Sequence, residues 1–210
     1  MGTDDQLIFP VGHYVGAQYR VPESGDATQQ VRRGAVFHSL TDEQFTVWTL
    51  GHGSTEAVRN EMRWQRPSIE ELAKAGGLTE AGGIIEELIE LGLLVEVTAD
   101  TELEFAERHR IVPLMLGLGN SADEPDLFGI GFLNQPVLQV AHAIYDLWQW
   151  STMDDTLWAT CENAADVARR GGFEYTEPEK LLTGFLGSLH ALLITDAAYV
   201  DVDFRLGQVR

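Results

Sequence analysis

The segments Glu71-Leu-Ala-Lys-Ala-Gly-Gly-Leu-Thr79 and Leu88-Ile-Glu-Leu-Gly-Leu-Leu94 belong to two predicted short helices joined by a tight turn. Gly76-Gly77 supplies the turn, because glycine accepts backbone conformations that strain other residues. Thr79 is the predicted N-cap of the second helix, and Gly92 is predicted to stop it. This spacing predicts a helix-turn-helix.

Alternating residues follow the second helix. Val95-Glu-Val97 and Leu103-Glu-Phe105 each place apolar side chains on one side of an extended chain and a carboxylate on the other. The short polar link Ala99-Asp100 separates the two runs. Alternation on both sides of a short polar link predicts a half-buried β-hairpin.

The order of predicted elements occurs twice. Residues 7–16 align with residues 110–119, and three pairs of residues match, namely Ile8 with Ile111, Pro10 with Pro113 and Gly16 with Gly119. Each segment is followed by a polar stretch, a short apolar strand and a helix start, with Thr41 and Asn134 as the predicted N-caps. The sequence therefore predicts an α+β chain with a first unit at 1–108 and a second at 109–210.

The second unit is predicted to begin its helical part directly after Asn134, with Pro136 in the first turn. The apolar stripe of this helix consists of Val137, Val140, Ala141, Ile144, Leu147 and Trp148. A later helix carries Leu182, Phe185, Leu189 and Leu192 at helical spacing. In the predicted closing strand, Ala198, Val200 and Val202 alternate with Tyr199, Asp201 and Asp203.

Acidic residues dominate the charge. The 210 residues include 14 Lys+Arg against 33 Asp+Glu, for a formal net charge of −19. A field of that sign repels the phosphate backbone of nucleic acids, whose non-specific binding depends on Lys and Arg. The charge disfavours DNA binding. Two explanations without a functional meaning are also open: an acidic surface that keeps the protein soluble, or an organism whose proteins are acidic in general.

The composition also predicts a cytoplasmic protein without a membrane segment. No apolar run reaches the roughly 20 residues that a membrane helix needs. The stretch Met1-Gly-Thr-Asp-Asp-Gln6 is acidic, whereas a secretory signal begins with basic residues and continues with apolar ones. The single Cys161 excludes an intramolecular disulfide and fits a reducing compartment.

The segments Glu71–Thr79 and Leu88–Leu94 resemble the second and third helices of the winged-helix superfamily. The resemblance implies two tandem winged-helix units, each with leading β-strands, a three-helix core and a closing strand or hairpin. It also implies DNA binding through the third helix. Here, however, the third helix has no basic residue and carries Glu80, Glu86, Glu87 and Glu90. A DNA-binding transcriptional regulator stays as the alternative, with a DNA face built from other residues such as Arg59, Arg63, Arg66, Arg108 and Arg110.

The leading strands are similar to those of precursor-peptide recognition domains (RiPP recognition elements), which serve the biosynthesis of ribosomally made peptide natural products. That resemblance implies a peptide that adds a strand to a sheet edge beside the third helix. The candidate peptide-binding residues are Arg32, Arg33, Ala35, Phe37, Leu88 and Leu91. The alternative is that Phe37, Leu88 and Leu91 belong to the core. We therefore expect a non-catalytic protein- or peptide-binding adaptor, acting as a homodimer or as a subunit of a biosynthetic complex.

Tyr145 and Trp150 form a second candidate site. Both lie off the apolar stripe of their helix. They are predicted either to form an exposed, partner-binding aromatic patch, of the kind enriched at interfaces, or to pack between the two units.

The sequence contains no recognisable motif for catalysis or metal binding. The six histidines form no pair with metal-ligand spacing, and no nucleophile elbow or phosphate-binding loop occurs. Cys161 has acidic neighbours, which do not lower the pKa of a thiol. We therefore expect no catalytic residue, no metal site and no cofactor.

Overall fold

The computed structural model describes residues 6–19, 27–172 and 177–203, so residues 1–5, on which the signal-peptide argument partly rests, lie outside it. Within these ranges the chain is mixed α+β. The strands are β1 (Leu7–Pro10), β2 (His13–Tyr19), β3 (Ala27–Arg33), β4 (Val36–Leu40), β5 (Leu94–Val97), β6 (His109–Pro113), β7 (Leu116–Gly119), β8 (Leu127–Phe132), β9 (Gln135–Ala141) and β10 (Ala198–Val202). The helices are α1 (Asp42–Leu50), α2 (Thr55–Arg59), α3 (Arg66–Ala75), α4 (Ala81–Glu90), α5 (Glu102–Arg108), α6 (His142–Trp150), α7 (Leu157–Gly171) and α8 (Pro178–Ile194).

The same order of elements occurs in both halves of the described chain. In the first half, β1 pairs with the closing strand β5, and β2, β3 and β4 form a three-stranded antiparallel sheet. In the second half, β6 pairs with the closing strand β10, and β7, β8 and β9 form the corresponding sheet. Helices lie between the sheet and the closing strand in each half.

The residues that match between the halves occupy equivalent positions. Pro10 and Pro113 each end the first strand of their half. Gly16 has φ of 110° and Gly119 has φ of 72°, and each lies at a β-bulge between the first two strands of its sheet. Residues other than glycine are strained at such angles, so the two bulges require glycine at both positions.

Two of the predicted helix ends are confirmed and one is wrong. The Thr41 hydroxyl accepts a hydrogen bond from the Gln44 amide, and the Gln44 side chain accepts one from the Thr41 amide, so Thr41 caps α1. Gly92 follows α4 with φ of 67° and stops it. Thr79 does not cap α4, since the N-cap is Glu80 and no side chain makes the capping bond.

The predicted hairpin between residues 95 and 105 is wrong. β5 pairs with β1 instead, and the following residues form α5. A turn in which the Thr101 amide donates to the Thr98 carbonyl over 2.9 Å leads into the helix. Phe105 and Ala106, which are consecutive, are both buried. In a strand with one exposed face, two consecutive side chains point to opposite faces, so one of the two would be exposed. A helix can bury both Phe105 and Ala106.

The predicted helix start at Asn134 is also wrong. Asn134 has φ of 63° and lies in the tight turn between β8 and β9, a conformation that asparagine tolerates. Residues 135–141 are strand β9, and the helix begins at His142. Pro136 lacks an N–H group and is tolerated because β9 is an outer strand. The spacing of apolar residues in this segment is compatible with a helix or with a strand. Pairing with β8 makes it a strand.

The closing strand β10 is buried along its whole length because it lies between the two halves. The Gly12 amide donates to the Val200 carbonyl over 2.7 Å. Asp201 Oδ1 accepts a bond of 2.7 Å from the Gly34 amide, and Arg32 Nη2 donates to the Tyr199 hydroxyl over 2.9 Å. These contacts join the first sheet to the last strand.

The hydrophobic core is continuous between the halves. One cluster of buried residues consists mostly of the second half and also contains Phe9, Val11, Val97 and Phe105 of the first. The second cluster lies within the first half. α8, with 17 residues the longest of the described helices, packs its apolar face into the shared cluster. Among the described residues no helix combines the length and the apolar character needed to span a bilayer.

Candidate functional site

Each three-stranded sheet has an outer strand next to the helices. In the sheet orders β2-β3-β4 and β7-β8-β9, no described strand pairs with the far side of β4 or of β9. An outer strand presents unpaired N–H and C=O groups along its free side, which makes it a template for another strand. Each half therefore has such an edge beside its helices, besides the opposite outer strand, β2 or β7.

A groove of about 680 Å³ lies between β9 and α8. We call it the β9 groove. Its lining includes Gln139 and Ala141 of β9, Thr183, Gly187 and Ala191 of α8, and Met62 and Val97 from the first half. Its volume lies within the range of roughly 300–1,000 Å³ that is usual for ligand sites. Residues from both halves of the chain are needed to build it.

Apart from His190, the residues of α8 that line the β9 groove are small. A Cβ atom added at Gly187 has no other atom within 4 Å, so the space above it is open. Ser188 and Ala191 continue this low surface along the helix. Small residues at these positions allow the backbone of a ligand to approach closely.

Polar contacts hold the walls of the β9 groove in place. The Thr183 hydroxyl donates to Glu102 Oε2 over 2.6 Å and ties α8 to α5. Gln139 Nε2 donates to Glu124 Oε2 over 2.7 Å and holds one side chain of β9. The exposed side chain of Met62 lies at the wall contributed by the first half.

His190 also lines the β9 groove and joins it to the first strand. Its Nε2 atom donates to the Ile8 carbonyl over 2.9 Å, and its ring stacks on Phe9 at 4.7 Å between centroids. Burial lowers the pKa of His190 to about 4. The imidazole is therefore neutral near pH 7 and acts as a structural donor.

The predicted residues around β4 divide into exposed and buried ones. Phe37 in β4 is 63% exposed, and Ala35 and Leu91 are exposed as well. Leu88 is fully buried among the core residues of the first half, so it cannot contact a peptide directly. For Leu88 the alternative of a core residue is correct.

The two predicted arginines make contacts within the chain. Arg32 donates to Tyr199 and lies 3.8 Å from Asp201, so it belongs to the contact between the halves. Arg33 Nη1 reaches the carbonyl of Leu91 at 3.4 Å, at the C-terminal end of α4. Of the six predicted residues, only Ala35, Phe37 and Leu91 therefore present exposed side chains without such a role.

The acidic face of α4 is held by other parts of the first half. Arg66 forms ion pairs of 2.7 Å with both Glu86 and Glu96. Gln44 Nε2 donates to Glu87 Oε2 over 3.0 Å. Because Arg66 is engaged with two carboxylates, it does not offer a free cation to a phosphate group.

Tyr145 and Trp150 do not form an exposed pair. Tyr145 is buried, and its hydroxyl accepts a hydrogen bond of 3.2 Å from the Gly119 amide. Trp150 is 56% exposed and lines a different cavity, between α6 and α7. The prediction of an exposed aromatic patch is therefore wrong for Tyr145. Sequence spacing missed this because β7, which supplies Gly119, pairs only in the tertiary structure.

In the described part of the chain, no group of three or more His, Cys, Asp or Glu residues is arranged to hold a metal ion. Cys161 is buried, and burial together with Glu162 raises the pKa of its thiol to about 12. At neutral pH this residue is a protonated thiol inside the core rather than a nucleophile.

The geometry relevant to function therefore consists of two free sheet edges, the β9 groove and the exposed Trp150. Comparison with known proteins adds nothing to it: no protein-family model, no curated protein and no solved structure matches this chain.

Proposed function

We propose that this chain is a non-catalytic peptide-binding adaptor that takes an extended peptide segment as an added strand on the free edge of β9. The observation that carries the proposal is the β9 groove, which is lined both by residues of the outer strand β9 and by the open helix surface at Gly187. Strand addition needs only an open strand edge for main-chain hydrogen bonds, and pockets for alternate side chains. A groove bordered by an outer strand supports this mode of binding.

The lining of the β9 groove suits the alternate side chains of a bound strand. Leu7, Trp64, Val97 and Ile144 contribute apolar surface. Side chains of an extended peptide point alternately to opposite faces, so every second residue of the ligand faces these groups. Apolar burial then adds affinity, while the main-chain bonds set the register.

Within this proposal the two halves are tandem winged-helix units, with α4 and α8 as their third helices. A DNA-reading role for those helices is disfavoured by charge. α4 carries Glu86, Glu87 and Glu90, and Lys180 in α8 is paired with Glu177 at 3.1 Å. Combined with the net charge of −19, this favours a peptide over a phosphate backbone.

The free edge of β4 also allows an extended peptide to bind as an added strand. Ala35, Phe37 and Leu91 are exposed there beside the end of α4. A precursor peptide of a biosynthetic pathway, presented to a partner enzyme in the cytoplasm, is the ligand class that we favour. Such a peptide binds as an extended segment, which either edge accepts.

The proposal is tested by selecting ligands and then locating them. A displayed library of random 12-residue peptides is selected against the full chain, and one enriched peptide is synthesised. We expect amide hydrogen exchange to show protection of β9 and α8 when this peptide binds. We further expect N-methylation at alternate peptide positions to weaken binding at least tenfold with a period of two, because each methyl group removes a main-chain donor. A failure to enrich any peptide, or protection confined to other elements, contradicts the proposal.

A further inference from the structure

A second open site lies between α6 and α7. A trough of about 660 Å³ separates parts of the two helices, and we call it the α6–α7 trough. Its walls include Asp146, Leu147 and Trp150 of α6 and Ala164, Val167 and Ala168 of α7. None of its lining residues also lines the β9 groove. It is therefore a separate site, independent of the peptide-binding role.

Both walls have the spacing of a helix-packing face. His142, Asp146 and Trp150 recur at every fourth residue along α6, and Asn163 and Val167 have the same spacing on α7. Residues at this spacing lie above one another on one side of a helix. The α7 wall also contains alanine at 164 and 168, which leaves room between the helices. Two helix faces with such a gap provide ridges and grooves for a third helix.

Large apolar side chains around the trough face solvent. Trp150 is 56% exposed, Met153 is 76% exposed and Val167 is 65% exposed, and all three line the trough. A contiguous exposed apolar surface of this kind marks an interaction site in soluble proteins. The wide exposure of these walls suits the face of a macromolecule better than an enclosed small molecule, whose site buries most of the ligand.

The charges of the trough are acidic. Asp146 and Asp154 belong to its lining, and none of the described lining residues is Lys or Arg. The nearby arginines at the end of α7, Arg169 and Arg170, are both paired with Asp166. A partner that meets these carboxylates with Lys or Arg gains complementary charge.

We propose that the α6–α7 trough binds a basic amphipathic helix of a partner protein. The apolar stripe of that helix fills the space above Ala164 and Ala168, and Trp150 acts as the aromatic anchor. Lys or Arg residues beside the stripe face Asp146 and Asp154, and a cation over the indole ring of Trp150 adds a cation–π contact. A second copy of this chain is a poor occupant because it brings the same net charge of −19.

The test uses a displayed library of 18-residue helices with a constant leucine stripe and flanking positions randomised among Lys, Gln and Glu. Selection against the full chain at physiological salt is expected to enrich Lys-rich flanks. An enriched helix, synthesised with a fluorophore, is expected to bind Trp150→Ser and Val167→Ser at least tenfold more weakly than the original chain. Both positions are exposed, so these substitutions leave the core intact.

Two controls separate the trough from general attraction to an acidic protein. Trp150→Ser does not change the net charge. Weaker binding to this variant is therefore caused by the lost contact in the trough and not by a change in the overall electrostatic attraction. Leu133→Ser removes an equally apolar side chain, 75% exposed in the turn between β8 and β9, and is expected to bind as the original chain does. The proposal is overturned if the enriched helices are not basic, or if they bind Trp150→Ser as well as the original. It is also overturned if sedimentation shows a dimer that Trp150→Ser dissociates, since the occupant is then a second copy.

Discussion

The imidazole Nε2 of His190 donates a hydrogen bond of 2.9 Å to the carbonyl oxygen of Ile8, although 182 positions separate the two residues along the chain. This bond attaches the last described helix to the first strand. The Phe9 ring, stacked on the same imidazole, belongs to the cluster of buried residues that the two halves share. We therefore expect the halves to unfold together rather than as independent units.

Stability is expected to fall as pH decreases from about 6.5 to about 4. Burial lowers the pKa of both His190 and His109 to about 4, whereas an unfolded histidine titrates near 6.5. Between these values the unfolded state binds more protons than the folded state, so protonation favours unfolding as the pH drops. Each residue accounts for at most about 3 kcal/mol of this loss. Urea unfolding measured at several pH values checks the slope.

A substitution at His190 separates the contribution of this histidine to the pH dependence of stability from the contribution of the carboxylates. His190→Gln keeps an N–H donor for the Ile8 carbonyl but does not titrate, so its stability is expected to depend less steeply on pH. The original chain, measured under the same conditions, is the reference. Equal slopes for the two proteins contradict this account.

Filling the β9 groove at Gly187 is expected to abolish binding of the selected peptide without harming the fold. Gly187→Leu places a side chain in the open space above α8, where the ligand backbone is proposed to lie. Replacing a helical glycine with leucine also stabilises the helix by roughly 0.5–1 kcal/mol. We expect peptide affinity to fall at least tenfold while the thermal midpoint stays level or rises.

Gly184→Leu is the matched control for this change. Gly184 lies in the same helix and also has open space around it, but it does not line the β9 groove. The substitution is expected to raise helix stability by a similar amount and to leave peptide binding unchanged. Equal loss of binding in both variants, measured by calorimetric titration, argues against the proposed place of the ligand.

Removing the Asp201 carboxylate is expected to weaken the contact between the halves. Its Oδ1 atom accepts bonds from the Gly34 and Val202 amides at 2.7 and 3.0 Å, and the side chain is 5% exposed. Asp201→Ala leaves buried donors without a partner and is expected to lower the free energy of unfolding by roughly 2–4 kcal/mol. Urea denaturation measures the loss, with exposed Asp123→Ala expected to change stability by less than about 0.5 kcal/mol.

The chain is expected not to bind duplex DNA, even at low salt. The carboxylates of α4 repel phosphates, and Arg66, the cation nearest to them, is already paired with Glu86 and Glu96. A mobility-shift titration with its own promoter region and with a random duplex checks this. A retarded band that weakens steeply as salt increases favours the alternative of a transcriptional regulator.

Local sequence predicted several features of the fold well. Thr41 caps α1, Gly92 ends α4, and the glycines matched at 16 and 119 occupy equivalent positions in the two halves. These features depend on interactions among residues a few positions apart, or on the steric freedom of glycine alone. Sequence patterns therefore contain the information that determines them.

The candidate sites depended on the tertiary structure. Arg32 was expected at a sheet edge but contacts Tyr199 and Asp201, and Tyr145 was expected at the surface but contacts Gly119. The β9 groove was missed because its walls come from several separate segments, as far apart in the chain as Leu7 and Ala191. The local spacing of apolar residues does not indicate which distant segments of the chain come into contact.

The sequence by itself determined the α+β class, the repeated order of elements and the helix ends at Thr41 and Gly92, because these follow from short-range hydrogen bonding and backbone sterics. Tertiary structure alone decided that residues 135–141 are a strand, that residues 102–108 are a helix and that β10 is buried between the halves. In each of these cases a partner distant in the chain supplies the hydrogen bonds or the apolar contacts, and those outweigh the weak local preference.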